Sequence, residues 1–216
     1  MSLALVGAGL EAPLVGGGTA PHLYLDYAAS APALVAVRDA VDEFLPYYGS
    51  VHRGVGLTSK VSTDVYEAAR DSVARFVGAR SDDVVVFTRN TTDAVNLLSS
   101  ALPAGVRTVT FSTEHHANLL PWQRRNAVII DTPHSPAEVV ATLDQTLARL
   151  GRGPLLVAVT GASNVTGERW PIAEISAVAQ AHGARTLLDA VGDRVPSRAI
   201  SHRASSPLRT ETETET

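Results

Sequence analysis

Cysteine is absent from the sequence, and among its 18 basic side chains only Lys60 is a lysine. The first absence excludes a disulfide framework, a thiolate metal site and a cysteine nucleophile, so an ordinary hydrophobic core must hold the chain. It also fits a reducing cytosol, and a cytoplasmic location is expected. Clustered positive charge is missing too: no basic run exceeds Arg124-Arg125. Neutralising phosphates needs a basic face, so no nucleic-acid partner is expected. No apolar run reaches the roughly 20 residues of a spanning helix. The start, MSLALVGAGLEAPLVGGG, lacks the positive segment of a secretory signal. Neither a membrane partner nor a targeting segment is expected.

What remains is 45% hydrophobic and 19% charged with a net charge of -4, the balance of a soluble globular chain. Residues 1–22 read as a flexible N-terminal segment. Gly7-Ala8-Gly9-Leu10-Glu11-Ala12 matches a dinucleotide fingerprint in form, but Pro13 and Gly16-Gly17-Gly18 disfavour the helix that must follow. Leu23 to Leu25 form a short extended piece, and Pro32 opens a helical pattern that runs to Leu45. From Thr58 the positions Val61, Val65, Ala69, Val73, Phe76 and Val77 recur at helix spacing, with Gly78 as the stop. Strands then alternate with helices. The strands are Val84 to Phe87, Thr108 to Phe111, Ala127 to Ile130, Pro154 to Thr160, and Arg185 to Leu188 ending at Asp189. Helices follow in NTTDAVNLLSSAL, from Pro136 to Gly151 behind a Ser135/Glu138 capping box, and from Pro171 to His182; HHANLLPW reads as loop and turn. Apolar strands alternating with helices predict an α/β fold, with a mostly parallel sheet covered on both faces. Residues 23–190 are read as one domain. Residues 191–216, ending in TETETET, are read as a divergent tail expected to be disordered.

In such sheets ligands bind beyond the carboxyl ends of the strands. Thr91 and Thr92 start a helix there, where free amides hold anions, although they also suit a plain N-cap. Glu114, His115 and His116 follow the next strand. The histidines also suit a surface pair, and neighbours on an extended segment diverge, so no metal site is expected. Ser163 and Asn164 follow the fourth strand, where Asn164 also fits a turn with Gly167. Asp189 ends the fifth, where it could instead cap a turn. Their order along one edge suits a single phosphorylated, aromatic ligand.

YLDYAASAP, SVHRGVGLTSKVSTDVYEAARDSVARFVGA, VVFTRNTTDAVNLL, EHHANLLPWQ and ASNVTGERWPIAEISAVAQAHGARTLLDA resemble, in order, segments of the class V aminotransferase family, nearest to its cysteine desulfurase-like branch. The resemblance spans Leu23 to Asp189. It implies a partial three-layer α/β/α large domain of a fold-type I enzyme, the cofactor pyridoxal 5'-phosphate, an amino-acid substrate and a homodimer. It further implies that Thr91 and Thr92 hold the cofactor phosphate and that His115 stacks on the pyridine ring. Asn164 would face the phenolic oxygen, and Asp189 would pair with the pyridine nitrogen, keeping it protonated so that the ring accepts electrons. Ala29, within Ala28 to Ser30, and His52 and Arg53 match substrate-side loops.

The family's Schiff-base lysine, a couple of dozen residues past the aspartate, has no counterpart here, and the glutamine three residues past it falls on Gly192. Lys60, among apolar helix positions, reads as a solvated surface group. With neither activated amine nor thiol, the chain is expected to be a truncated form that cannot complete the family's reaction. The alternative is a non-catalytic module that binds the cofactor noncovalently or pairs with a full-length homologue.

Overall fold

A computed structural model of the chain describes residues 4–27, 30–131, 133–163 and 165–190. The N-terminal part contains a small antiparallel hairpin, β1 (Glu11–Pro13) with β2 (Thr19–Pro21). Helix α1 (Val35–Phe44) follows, then one 3-10 turn, Leu45–Tyr47, and the long α2 (Leu57–Val77). Gly78 ends α2 with φ of 68°, the left-handed value that glycine adopts without strain. The remaining order is α3 (Thr91–Ala101), β3 (Arg107–Phe111), α4 (His116–Gln123), β4 (Val128–Ile130), α5 (Pro136–Leu150), β5 (Leu155–Thr160), α6 (Ile172–Ala181) and β6 (Arg185–Asp189).

The four later strands form one parallel sheet in the order β4-β3-β5-β6. Its two faces follow from the period of two along β5. Leu155, Val157 and Val159 pack with Val139, Leu143 and Leu147 of α5 and Ile172, Ile175 and Ala179 of α6. Leu156 and Ala158 point the other way, onto Val95 of α3 and Trp122 of α4. A helix layer, a sheet and a second helix layer result, the three-layer arrangement expected from sequence. All six β5 residues are buried, which is why that strand reads as an uninterrupted apolar run. Ser135 caps α5 through the Glu138 N–H, and the Glu138 carboxylate accepts from the His134 N–H at 2.7 Å. This displaces the reciprocal bond of a capping box by one residue.

Three expectations need correction. Val84 to Phe87 is not a strand: it joins no ladder, and Val84 and Val86 are 74% and 62% exposed. β-branched residues favour extended backbone, but a strand exists only when a partner satisfies its N–H and C=O groups. Among the described residues β6 pairs only through β5 and β4 only through β3. HHANLLPW, read as loop, is α4, with Pro121 buried inside it. The first helix also starts later than Pro32, at Val35.

Candidate functional site

The carboxyl ends of β3, β5 and β6 and the first turns of α3 and α4 supply the site. At α3 the cap is the Asn90 side chain, which accepts from the Asp93 N–H at 2.9 Å. Thr91 and Thr92 are therefore the first two helical residues and neither is the cap. Their hydroxyls sit at the positive end of an 11-residue helix.

His115 caps α4. Its Nδ1 accepts the Ala117 N–H at 3.1 Å, so the proton of the neutral ring is on Nε2. His116 is the first helical residue, with ring centroids 6.3 Å from those of His115. The two rings line two adjoining clefts. One, of about 220 Å³, also contains Thr92 and Asn96. The other, of about 570 Å³, is lined as well by Glu114, Thr160 and Ser163. His115 thus joins the start of α3 to the ends of β3 and β5.

Asp189 is buried at the end of β6, in register with Thr160 of β5. Beside it lies Glu114, 4% exposed, whose carboxyl accepts from the Thr160 N–H at 3.0 Å and from Asn118 Nδ2 at 2.7 Å. Burial pushes Glu114 up to about 7; the bonds from Thr160 and Asn118 oppose that rise, and the Asp189 charge adds to it.

The remaining candidates are set apart. His52 and Arg53 are exposed and line neither cleft. His52 has φ of 61°, and its Nε2 meets Glu67 at 2.8 Å. A chain of edge-on rings, His52 to Tyr66 at 5.9 Å and Tyr66 to Phe87 at 5.3 Å, leads from it toward the loop before α3. Asn164 and Ala29 lie outside the described residues, as do Gly192 and the segment 191–216. Ser163 Oγ accepts from the Val165 and Thr166 N–H groups. Lys60 is exposed on α2.

Glu114, Asn118 and Trp122 form a buried polar line for which the sequence reading assigned no role. Their spacing of four residues marks one face of a helix, a signal that a loop reading of HHANLLPW does not use.

A family model described as Aminotransferase class-V matches residues 23–204. The chain belongs to the class V aminotransferase family. It is 35% identical over 178 residues to a probable cysteine desulfurase of Halalkalibacterium halodurans, covering 78% of this chain and 44% of that protein. To the cysteine desulfurase of Salmonella typhimurium it is 34% identical over 194 residues, 85% of this chain and 46% of the other. The apo structure of the Thermococcus onnurineus cysteine desulfurase superposes with a TM-score of 0.67 at 32% identity, over 78% of this chain and 44% of that one. A serine palmitoyltransferase holding a PLP-myriocin aldimine shares the fold, with a TM-score of 0.60 at 23% identity over 87% of this chain and 46% of that one. These matches place the class V chain on the cysteine desulfurase-like branch. It spans under half the length of these relatives.

Proposed function

We propose that this chain carries the cofactor-binding half of a pyridoxal 5'-phosphate enzyme that acts on an amino acid in the manner of a cysteine desulfurase. The observation that carries the reading is that Thr92 and His115 line one cleft and His115 the next, while Asp189, which lines neither, is buried at the end of β6 in register with Thr160 of the second cleft. The donor set fits the group. Thr91 and Thr92, at a helix N-terminus, suit a phosphate dianion. The exposed face of His115 suits a flat heteroaromatic ring, and the Asp189 carboxylate suits a protonated ring nitrogen. Asn164 is assigned to the ring's phenolic oxygen, and Ala29, His52 and Arg53 to the substrate side.

When bound, the cofactor supplies an electron sink for a carbanion at the substrate's α-carbon. The chain's own residues orient it. The α3 turn anchors one end, Asp189 holds the proton on the ring nitrogen, and His115, with its proton on Nε2, has a donor to offer in the cleft. The amine and thiol of the complete reaction are assigned to the part of the relatives that this chain does not span. A homodimer is assigned on the same resemblance, and a cytoplasmic location on the lack of cysteine.

A second reading is favoured by Lys60 being the sole lysine and exposed: taken by itself, the chain holds the cofactor noncovalently or pairs with a full-length homologue. Absorbance titration with pyridoxal 5'-phosphate, then borohydride reduction and peptide mapping, tests both readings. A saturable spectral change without a reduced adduct is expected. Specific labelling of Lys60 would overturn its assignment as a surface group, and a folded protein without binding would remove the cofactor role.

A further inference from the structure

Behind the strand ends runs a hydrogen-bond line whose direction is set by its two termini. Trp122 Nε1 can only donate, and it donates to Asn118 Oδ1 at 3.0 Å. That fixes the Asn118 amide, whose Nδ2 faces Glu114 Oε2 at 2.7 Å. From the opposite side the Thr160 backbone N–H, again only a donor, meets Glu114 Oε1 at 3.0 Å. All four residues are buried, Trp122 and Asn118 completely. Glu114 must therefore accept two N–H bonds, one on each oxygen. A carboxylate does this; a glutamine would turn an NH₂ toward a donor, and flipping Asn118 to compensate would orphan the Trp122 indole. The N–H that Glu114 holds belongs to Thr160, the in-register partner of Asp189. The Glu114 carboxyl is thus tied to the strand position paired with Asp189, whose charge acts on it.

We propose that Glu114 is a positioning residue of the strand-end site: it fastens the first turn of α4, and with it His115, to the end of β5, and it couples to Asp189 so that a cation held there meets the field of two carboxylates. The inference rests on the proposed cofactor only for the identity of that cation; the clamp and the coupling belong to the free protein. The groups around Glu114 leave Asp189 as the charged partner that acts on it. Thr160 from β5 and Asn118 from α4 are uncharged, His115 and His116 follow in its own segment, and Glu168 lines the same cleft. Two buried like charges repel, which favours keeping a proton on Glu114 until a cation arrives.

The test is an NMR pH titration of the full chain, following side-chain carboxyl carbons of Glu and Asp and the indole N–H signals. There are two tryptophans, and Trp170→Phe assigns the signal of Trp122. The Glu114 carboxyl is expected to titrate at about 7, and the Trp122 indole signal to shift with it; Asp189→Asn is expected to lower the Glu114 midpoint. Glu114→Gln removes the Trp122 inflection. If Glu114 titrates in the ordinary carboxylate range, if Trp122 does not respond, or if Asp189→Asn leaves the Glu114 midpoint in place, the proposal is overturned. With saturating pyridoxal 5'-phosphate the Glu114 midpoint is expected to fall by about one unit, a tenfold weaker hold on the proton. Binding that leaves the midpoint in place refutes the coupling to the bound cation. Absence of any spectral change on adding pyridoxal 5'-phosphate defeats the cofactor reading instead, and the free-protein titration still decides the clamp and the coupling.

Discussion

Asn118→Ala is expected to cost about 2.5–6 kcal/mol of stability at pH 8, and clearly less at pH 5.5. Asn118 is completely buried and makes two side-chain bonds, accepting from Trp122 and donating to Glu114. Alanine leaves the indole N–H buried without a partner, about 1–3 kcal/mol, and removes a donor to a carboxylate, about 1.5–3 kcal/mol when that group is charged. The pH term follows from Glu114, whose folded value is raised from 4.5 to about 7. Because the native state holds this proton more tightly than the unfolded chain, the group's contribution is most favourable below the unfolded value. It is lost as pH rises through the folded value, by about 3 kcal/mol in all. Asn118 moderates that loss by stabilising the charged form, so its removal is felt most where Glu114 is charged. Urea denaturation at the two pH values, followed by far-UV circular dichroism to avoid the altered indole, measures both costs. Equal costs at pH 5.5 and pH 8, or a cost below about 1 kcal/mol at pH 8, would refute the network argument.

Asp189→Asn is expected to weaken pyridoxal 5'-phosphate binding at least about tenfold, since a neutral amide cannot pair with a protonated ring nitrogen; an unchanged spectral titration would sink that assignment. Replacing Thr91 and Thr92 together by valine is expected to weaken pyridoxal 5'-phosphate several-fold and leave pyridoxal, which lacks the phosphate, unaffected. Equal losses for both vitamers would place the phosphate elsewhere. Val84, Val86, Phe76 and Leu97 are all exposed, so the chain on its own is expected to self-associate. Light scattering that finds a monodisperse monomer with a cooperative melt would contradict this.

The two longest helices, α2 and α5, were legible because their signals are local: apolar spacing, a glycine stop, and for α5 a serine cap. β5 was legible because burial on both faces writes itself as an apolar run. Val84 to Phe87 carries the same signature and still forms no strand, because pairing depends on a neighbour that its composition does not encode. α4 is a helix although it contains a proline. Within a helix of only eight residues, Pro121 interrupts little of the ladder, and its ring is buried.

The site divides along the same line. The sequence by itself determined which chemistries are within reach: an anion-binding helix start, an imidazole and a carboxylate on strand ends, one solvated lysine and no thiol. Those are properties of residue type and order, and together they carry the family. Only the tertiary structure decided that Asn90 rather than a threonine caps α3, and that His115 accepts through Nδ1. It alone brought the buried Glu114 carboxyl under the influence of the Asp189 charge. The reason is physical. These relations join segments up to 46 residues apart through buried hydrogen bonds, and a buried polar group takes its protonation and direction from whichever partners the packing supplies.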